Sequence, residues 1–285
     1  MLDKPETSRP NHGPLSMEHA TWLEEVRKIP SEVAAEFGAF SKGDAIGFPV
    51  CDANGQELYC KFRAVSEKKF WRTPGGTKTS VWGLDSLPEV NGAGEALIWT
   101  EGEFDRLAVI TAGEPWVVSV PDGAQTAEKH DAIPDEDRAY AWLWGADGKL
   151  LPDLAKFDRH ILAVDGDEKG QILRHNLAIR LGRARCYFVT WPDGCKDAND
   201  VLAKHGVERL AEIIEQAKPM VPSLLSSFND IPRTPNYRTY STGWGGLDQH
   251  MMIKMPSLIT VVGSPGAGKS QWTLGLACNL ARVHG

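Results

Sequence analysis

Three apolar runs, Ala96–Thr100, His160–Val164 and Ala184–Thr190, are each followed at once or within a short loop by acidic residues, and the stretches between and after them carry helical periodicity. Short apolar runs alternating with helices predict an α/β fold built on a parallel sheet with crossover helices. A further run, Trp116–Val120, adds a strand, and helices are expected at Phe104–Ala112, Lys169–Leu181, Asn199–Lys204 and Val207–Ala217. Pro121–Leu151 reads as an acidic, irregular insertion. In an open parallel sheet the loops leaving the carboxyl ends of the strands converge on one crevice, so residues placed just after strands are the ones that meet.

The residues so placed are Glu101-Gly-Glu-Phe-Asp105, Asp165-Gly-Asp167 and Lys196-Asp-Ala-Asn-Asp200. Glu101 and Asp105 are four apart and can approach across a first helical turn. Asp165 and Asp167 are two apart and in extended geometry point the same way. Gathered carboxylates repel, and protonation or a cation must relieve them. Acid-only ligands suit a hard cation, Mg²⁺ or Mn²⁺, which keeps waters and phosphate oxygens in its shell, so phosphoryl-transfer or nucleic-acid chemistry is the class expected. The plainer alternative is that each acid caps a helix.

The chain has 285 residues, 42% hydrophobic and 24% charged, enough for one large domain or two modest ones. No apolar stretch reaches the ~18 residues of a membrane span, and the first thirty residues lack a signal-peptide core, so no membrane partner and a cytoplasmic protein are expected. The five cysteines contain no pair with two to four residues between its members, which predicts reduced thiols and no zinc. A net charge of -7 excludes a generally basic coat, yet residues 61–80 hold Lys61, Arg63, Lys68, Lys69, Arg72 and Lys78 against a single Glu, interleaved with Phe62, Phe70 and Trp71. That is the footprint of a nucleic-acid or nucleotide contact. It lies in a small subdomain, residues 17–90, with two short helices around Pro30-Ser31, Ser31 capping the second, and a hairpin of Ile46–Val50 and Leu58–Ala64 turning at Asn54-Gly55. Trp142, Trp144 and Trp191 could stack bases, but burial is the simpler expectation.

Residues 1–16 read as a disordered lead-in, and 219–240, rich in Pro and Ser, as a linker after the 91–218 α/β domain. The segment 241–285 holds Leu258–Val262 as a buried strand, then Gly263-Ser-Pro-Gly266-Ala-Gly268-Lys269-Ser270, then a helix Gln271–Val283. This is the phosphate-loop pattern in its proper setting: amides around Gly263, Gly266 and Gly268 cradle phosphates, Lys269 reaches the terminal ones and Ser270 meets Mg²⁺ of bound ATP. Gly285 comes before any second strand, so this reads as the truncated start of a RecA-like domain, and ATP turnover by the chain alone is not expected.

The EGxxD, DxD and KDAN runs together resemble the Toprim domain of bacterial primases, topoisomerases and some nucleases, and the KDAN run narrows this to primases and primase-helicases. The upstream hairpin and the downstream Ser241-Thr-Gly-Trp-Gly-Gly-Leu-Asp248 resemble the flanks of that domain in phage primase-helicases and Twinkle-like helicases. The resemblance implies Mg²⁺-dependent (or Mn²⁺-dependent) RNA primer synthesis from nucleoside triphosphates on single-stranded DNA, coupled in a full protein to ATP-driven unwinding, in a bacterial or phage-infected cell. It implies Glu101 as the metal-organising acid and proton shuttle, Asp165 and Asp167 as metal carboxylates, Asp105 and Asp197 in support, and the six cations of 61–80 on template or nucleotide phosphates. It also implies a ring for a full-length protein, whereas a monomer is expected of this chain. The family's zinc-binding N-terminal module has no counterpart in the sequence, which leaves as alternatives a non-priming Twinkle-like helicase accessory module and a Toprim nuclease.

Overall fold

A computed structural model describes residues 12–67, 69–74, 80–88, 95–121, 138–220, 239–254 and 257–284. The chain divides into two compact units, Met1–Ser223 and Leu224–Gly285.

The first unit opens on α1 (Met17–Trp22), capped by Ser16, whose hydroxyl accepts from the His19 amide. A π-helical turn, Leu23–Arg27, leads to α2 (Ser31–Glu36). Ser31 is the first helical residue and not the cap. Pro30 takes the cap position because its φ of -57° and extended ψ of 132° suit that place, and its carbonyl accepts from the amides of Val33 and Ala34. Residues 12–16 also depart from the expected disorder. His12 stacks on Phe40, and the Ser16 amide donates to Ser41 Oγ at 2.7 Å; residues 1–11 lie outside the described residues.

Four antiparallel strands follow in spatial order: β1 (Phe40–Lys42), β2 (Ala45–Cys51), β3 (Glu57–Ala64) and β4 (Phe70–Arg72). The β2–β3 turn closes on Asp52, whose Oδ1 accepts from the amides of Asn54 and Gln56, with Gly55 at φ 81°.

The α/β part runs β5 (Ala96–Thr100), α3 (Glu103–Thr111), β6 (Val117–Ser119), α4 (Pro152–Ala155), β7 (Arg159–Leu162), α5 (Glu168–Leu181), β8 (Cys186–Phe188), α6 (Ala198–His205), α7 (Val207–Glu215) and β9 (Lys218–Pro219). The sheet order is β6-β5-β7-β8-β9, parallel except for the antiparallel edge β9. Both faces are covered, and alternate strand residues serve different cores. Ile98, Val117 and Ile161 pack with α3, α6 and α7, while Leu97, Val118 and Leu162 pack with α5. The second core includes Tyr140, Trp142 and Leu143 from a 3-10 stretch, Arg138–Leu143. The latter part of the expected irregular insertion is therefore structural, because its apolar residues cover a sheet face; residues 122–137 lie outside the described residues.

The second unit pairs β10 (Thr239–Tyr240) with β11 (Ile253–Lys254) around α8 (Gly245–Asp248), and ends in α9 (Lys269–His284). The expected buried strand at Leu258–Val262 does not form. Leu258 is 95% and Val262 87% exposed, and no ladder partner lies beside them among the described residues. A parallel strand needs neighbours on its edges and cover on its faces. Among the described residues no helix is long and apolar enough to cross a membrane.

Candidate active site

Sheet order locates the crevice. β6 lies on one side of β5 and β7 on the other, so the connection reverses direction between β5 and β7, and the loops leaving those two strands part to form a cleft. Glu101 follows β5 and Asp165 lies just beyond β7, so the two acids flank that switch point.

Donor oxygens of Asp105, Asp165 and Asp197 all lie within 4.8 Å of one another. Asp105 stands in the first turn of α3, where Gly102 makes room for it: a β-carbon on Gly102 would lie 2.6 Å from Asp105 Oδ2. Burial, then the charges of Asp197 and Asp165, raise the Asp105 carboxyl well above the ordinary range. Burial also raises Asp165, opposed by Lys196. Glu101 is pushed up to about 7, first by burial and then by Asp165 and Asp167, and its Oε2 is buried without a hydrogen-bond partner. Asp165 is thus shared between two groups, one with Asp105 and Asp197 and one with Glu101 and Asp167. Asp105 turns to the residues that begin α6, its Oδ1 accepting from the Asn199 amide.

Capping and clustering turn out to coexist. Asp167 caps α5 by accepting from the Gly170 amide at 2.9 Å, and Asp197 caps α6 by accepting from the Asp200 amide at 2.7 Å. Each keeps a second oxygen for other partners. Beside Asp165 and Asp167 opens a cavity of about 480 Å³, lined also by Gln171, Arg174, Trp191 and Lys196. The Trp191 indole is held in place by donating to the Val164 carbonyl.

The basic strands lie on β3 and β4. Lys61 pairs with Glu103 and donates to the Val120 carbonyl, so it ties β3 to the α/β part. Arg63 lies over the Phe70 ring at 4.1 Å, and its Nε and Nη1 are buried without partners. Burial and the nearby Arg27 lower its affinity for its proton. Lys69 is exposed beside Glu67, and Phe70, Trp71 and Arg72 form an exposed edge strand. Phe62, expected among the interleaved aromatics, is buried under Trp71 and Phe40. Lys68 and Lys78 lie outside the described residues. In the second unit, Gly266 and Gly268 adopt φ of 77° and 81°, conformations that favour glycine, and Lys269 Nζ donates to the carbonyls of Gly263 and Ser264. Ser270 follows in the first turn of α9.

No family model matches the chain. Two curated proteins of Arabidopsis thaliana do. The Twinkle homolog protein, chloroplastic/mitochondrial, is 33% identical over 270 residues, 89% of this chain and 35% of that protein. The primase homolog protein is 34% identical over 200 residues, 68% of this chain and 53% of that protein. The chain is thus similar in sequence to a Twinkle homolog and to a primase homolog. It spans between about a third and a half of the length of these curated relatives. In fold, it superposes on the primase domain of bacteriophage T7 gp4, solved with an RNA/DNA hybrid and dTTP, with a TM-score of 0.50 and 23% identity over 68% of this chain and 90% of that one.

Two residues of this crevice stand in the KDAN run with no role assigned to them from the sequence. Lys196 Nζ lies 2.8 Å from Asp197 and 3.4 Å from Asp165. Burial works against its charge, but Asp197, Asp165 and Asp105 outweigh that and raise its pKa. Asn199, 3% exposed, donates its amide to Asp105 Oδ1 at 3.1 Å and its Nδ2 to the Arg27 carbonyl, and accepts from Arg27 Nη1 at 3.0 Å. The KDAN run thus supplies a counter-ion, a carboxylate and a clamp that joins the acid cluster to the N-terminal helices.

Proposed function

We propose that the chain is the primase portion of a DNA-replication primase-helicase, joining ribonucleotides into a primer on single-stranded DNA. The observation that carries this is the orphaned Glu101 Oε2 in the field of Asp165, whose carboxylate also joins those of Asp105 and Asp197, at the sheet's switch point. A set of hard oxygen donors with a buried unpaired oxygen fits Mg²⁺ or Mn²⁺, which Asp165, Asp105, Asp197, Glu101 and Asp167 would hold. Such a cation, when bound, neutralises phosphate charge and makes a coordinated hydroxyl more acidic.

The chain's own residues supply the rest. Glu101, raised to about 7 in the metal-free chain, would be ionised beside a bound cation and so suited to take the proton of the attacking 3′-hydroxyl. The cavity lined by Arg174 and Trp191 offers a cation and an aromatic face to an incoming triphosphate. Arg63, Lys69 and Arg72, with Phe70 and Trp71, offer cations and stacking surfaces to a single strand, and Lys68 and Lys78 belong to the same basic run. The RNA/DNA hybrid and dTTP held by the T7 primase domains are the kinds of ligand this reading requires. Gly263, Gly266, Gly268, Lys269 and Ser270 would hold ATP phosphates.

The test is de novo synthesis: purified chain, mixed-sequence single-stranded DNA, labelled ribonucleotides and Mg²⁺. Short RNA products from the wild type support priming. Their absence, with single-strand binding intact, favours a helicase-accessory role, and cleavage of supercoiled plasmid favours a nuclease.

A further inference from the structure

We propose that His12, Glu57 and Cys60 form a binding site for one thiophilic divalent transition-metal ion, of the zinc class, on the four-stranded sheet and apart from the carboxylate crevice. Nε2 of His12, a carboxylate oxygen of Glu57 and Sγ of Cys60 all lie within 4.8 Å of one another. They bring an imidazole, a carboxylate and a sulfur, which together suit zinc and its neighbours better than Mg²⁺.

The donors converge on a point and do not form a chain. One nitrogen, His12 Nε2, faces both Glu57 Oε2 at 2.5 Å and Cys60 Sγ at 3.6 Å, and Cys60 Sγ lies 3.3 Å from Glu57 Oε1. A nucleophile relay would use both ring nitrogens, one toward the thiol and one toward the acid. Burial, reinforced by Glu57, also pushes the Cys60 thiol up to about 12, the opposite of what an activated nucleophile needs. Zinc with nitrogen, oxygen and sulfur ligands at their usual bond lengths places tetrahedral donors roughly 3.4–3.6 Å apart. The Nε2–Sγ and Sγ–Oε1 separations already stand close to that, and a turn of the Glu57 carboxylate that opens its Oε2 contact with His12 completes the set.

Local structure aims all three residues. Glu57 and Cys60 are three apart, so a regular strand would send them to opposite faces. The β2–β3 ladder slips between Val50 and Cys51, leaving Leu58 as an extra residue on β3 and turning Glu57 to the side of Cys60. His12 is fixed by its stack on Phe40, with ring centroids 4.3 Å apart and planes at 15°. Phe40 in turn lies over Gly47, where a β-carbon would meet the ring at 2.4 Å. Cys60 is sheltered with Phe40, Ala45 and Phe62, while His12 and Glu57, 30% and 24% exposed, leave a water access to the fourth position. A neutral imidazole, a carboxylate and a thiolate would leave the occupied site uncharged. The expectation of no zinc rested on the lack of closely spaced cysteines, a signal blind to ligands separated by 45 and 3 residues.

Co²⁺ is the probe: the metal-free, reduced full chain is titrated with it and followed by absorption. One equivalent should give a thiolate-to-cobalt band with visible tetrahedral d–d bands, and Zn²⁺ should abolish both. Cys60→Ser should remove the thiolate band, and His12→Ala or Glu57→Gln should weaken binding about tenfold or more, while Cys195→Ser and Cys278→Ser change nothing. Circular dichroism checks each fold, and should Cys60→Ser unfold, His12→Ala, at the edge of the sheet, decides. No sulfur band at excess Co²⁺, a band that survives Cys60→Ser, or one lost with Cys195→Ser or Cys278→Ser overturns the proposal.

Discussion

Gly170 packs so tightly on Asp165 that a β-carbon at position 170 would lie 1.9 Å from the Asp165 carbonyl oxygen. The first turn of α5 therefore rests directly on the backbone that presents the shared carboxylate, and the same glycine's amide holds Asp167. Gly170→Ala must push the helix off the strand exit. It should cost about 1–3 kcal/mol in urea unfolding, the usual price of overpacking, and lower metal-dependent nucleotide incorporation at least tenfold. Wild-type stability in this variant would refute the close packing.

Lys196 competes with any cation for Asp165 and Asp197. In Lys196→Met, the Mg²⁺ concentration that half-saturates thermal stabilisation should fall by roughly fivefold, the equivalent of the ~1 kcal/mol that a solvent-exposed ion pair is worth. An unchanged or higher midpoint would mean that Lys196 does not contest the metal position.

Asn199 satisfies the Arg27 carbonyl and guanidinium in a buried setting. Asn199→Ala leaves both unmet and should destabilise the chain by about 1–3 kcal/mol, read by chemical denaturation. Arg27→Ala in the same background should add less than it does alone, because the two share a bond network.

The pH response has two windows. Glu101 binds its proton more tightly folded than unfolded, so its contribution is complete below about 4.5 and is lost as pH rises through about 7. In EDTA, melting temperature should fall from pH 6 to pH 8 and fall less in Glu101→Gln; Mg²⁺, which favours the ionised acids, should stabilise more at pH 8. His160 behaves oppositely. Burial, aided by Arg185, lowers it to about 3, with Trp99 Nε1 donating to its Nδ1. Its contribution is complete above about 6.5 and is lost on acidification toward 3, so His160→Gln should flatten the acid limb of the same curve.

The strand-end rule made the crevice legible because it depends only on which residues follow apolar runs: Glu101 and Asp165 are found by it, and Ala96–Thr100 forms as expected. What the rule cannot supply is pairing in space. Asp105 meets Asp197 and Asp165 because α6 begins beside α3, a packing relation between segments over ninety residues apart. Lys196 and Asn199 are ordinary polar residues until that packing exists. Tyr140 is hidden by the acidic composition around it, whereas Trp142 is buried as its apolar area leads one to expect. Leu258–Val262 has a strand's composition, but a ladder also needs partners.

The most direct measurement counts Mn²⁺ bound to the purified chain by electron paramagnetic resonance, in the wild type, Glu101→Gln and Asp165→Asn, alongside His12→Ala as a control for the sheet site. The wild type and His12→Ala should bind Mn²⁺ at the crevice with equal affinity. Both acid variants should bind at least tenfold more weakly while remaining folded. Equal Mn²⁺ binding by wild type and Asp165→Asn would contradict the assignment of this crevice as the metal centre.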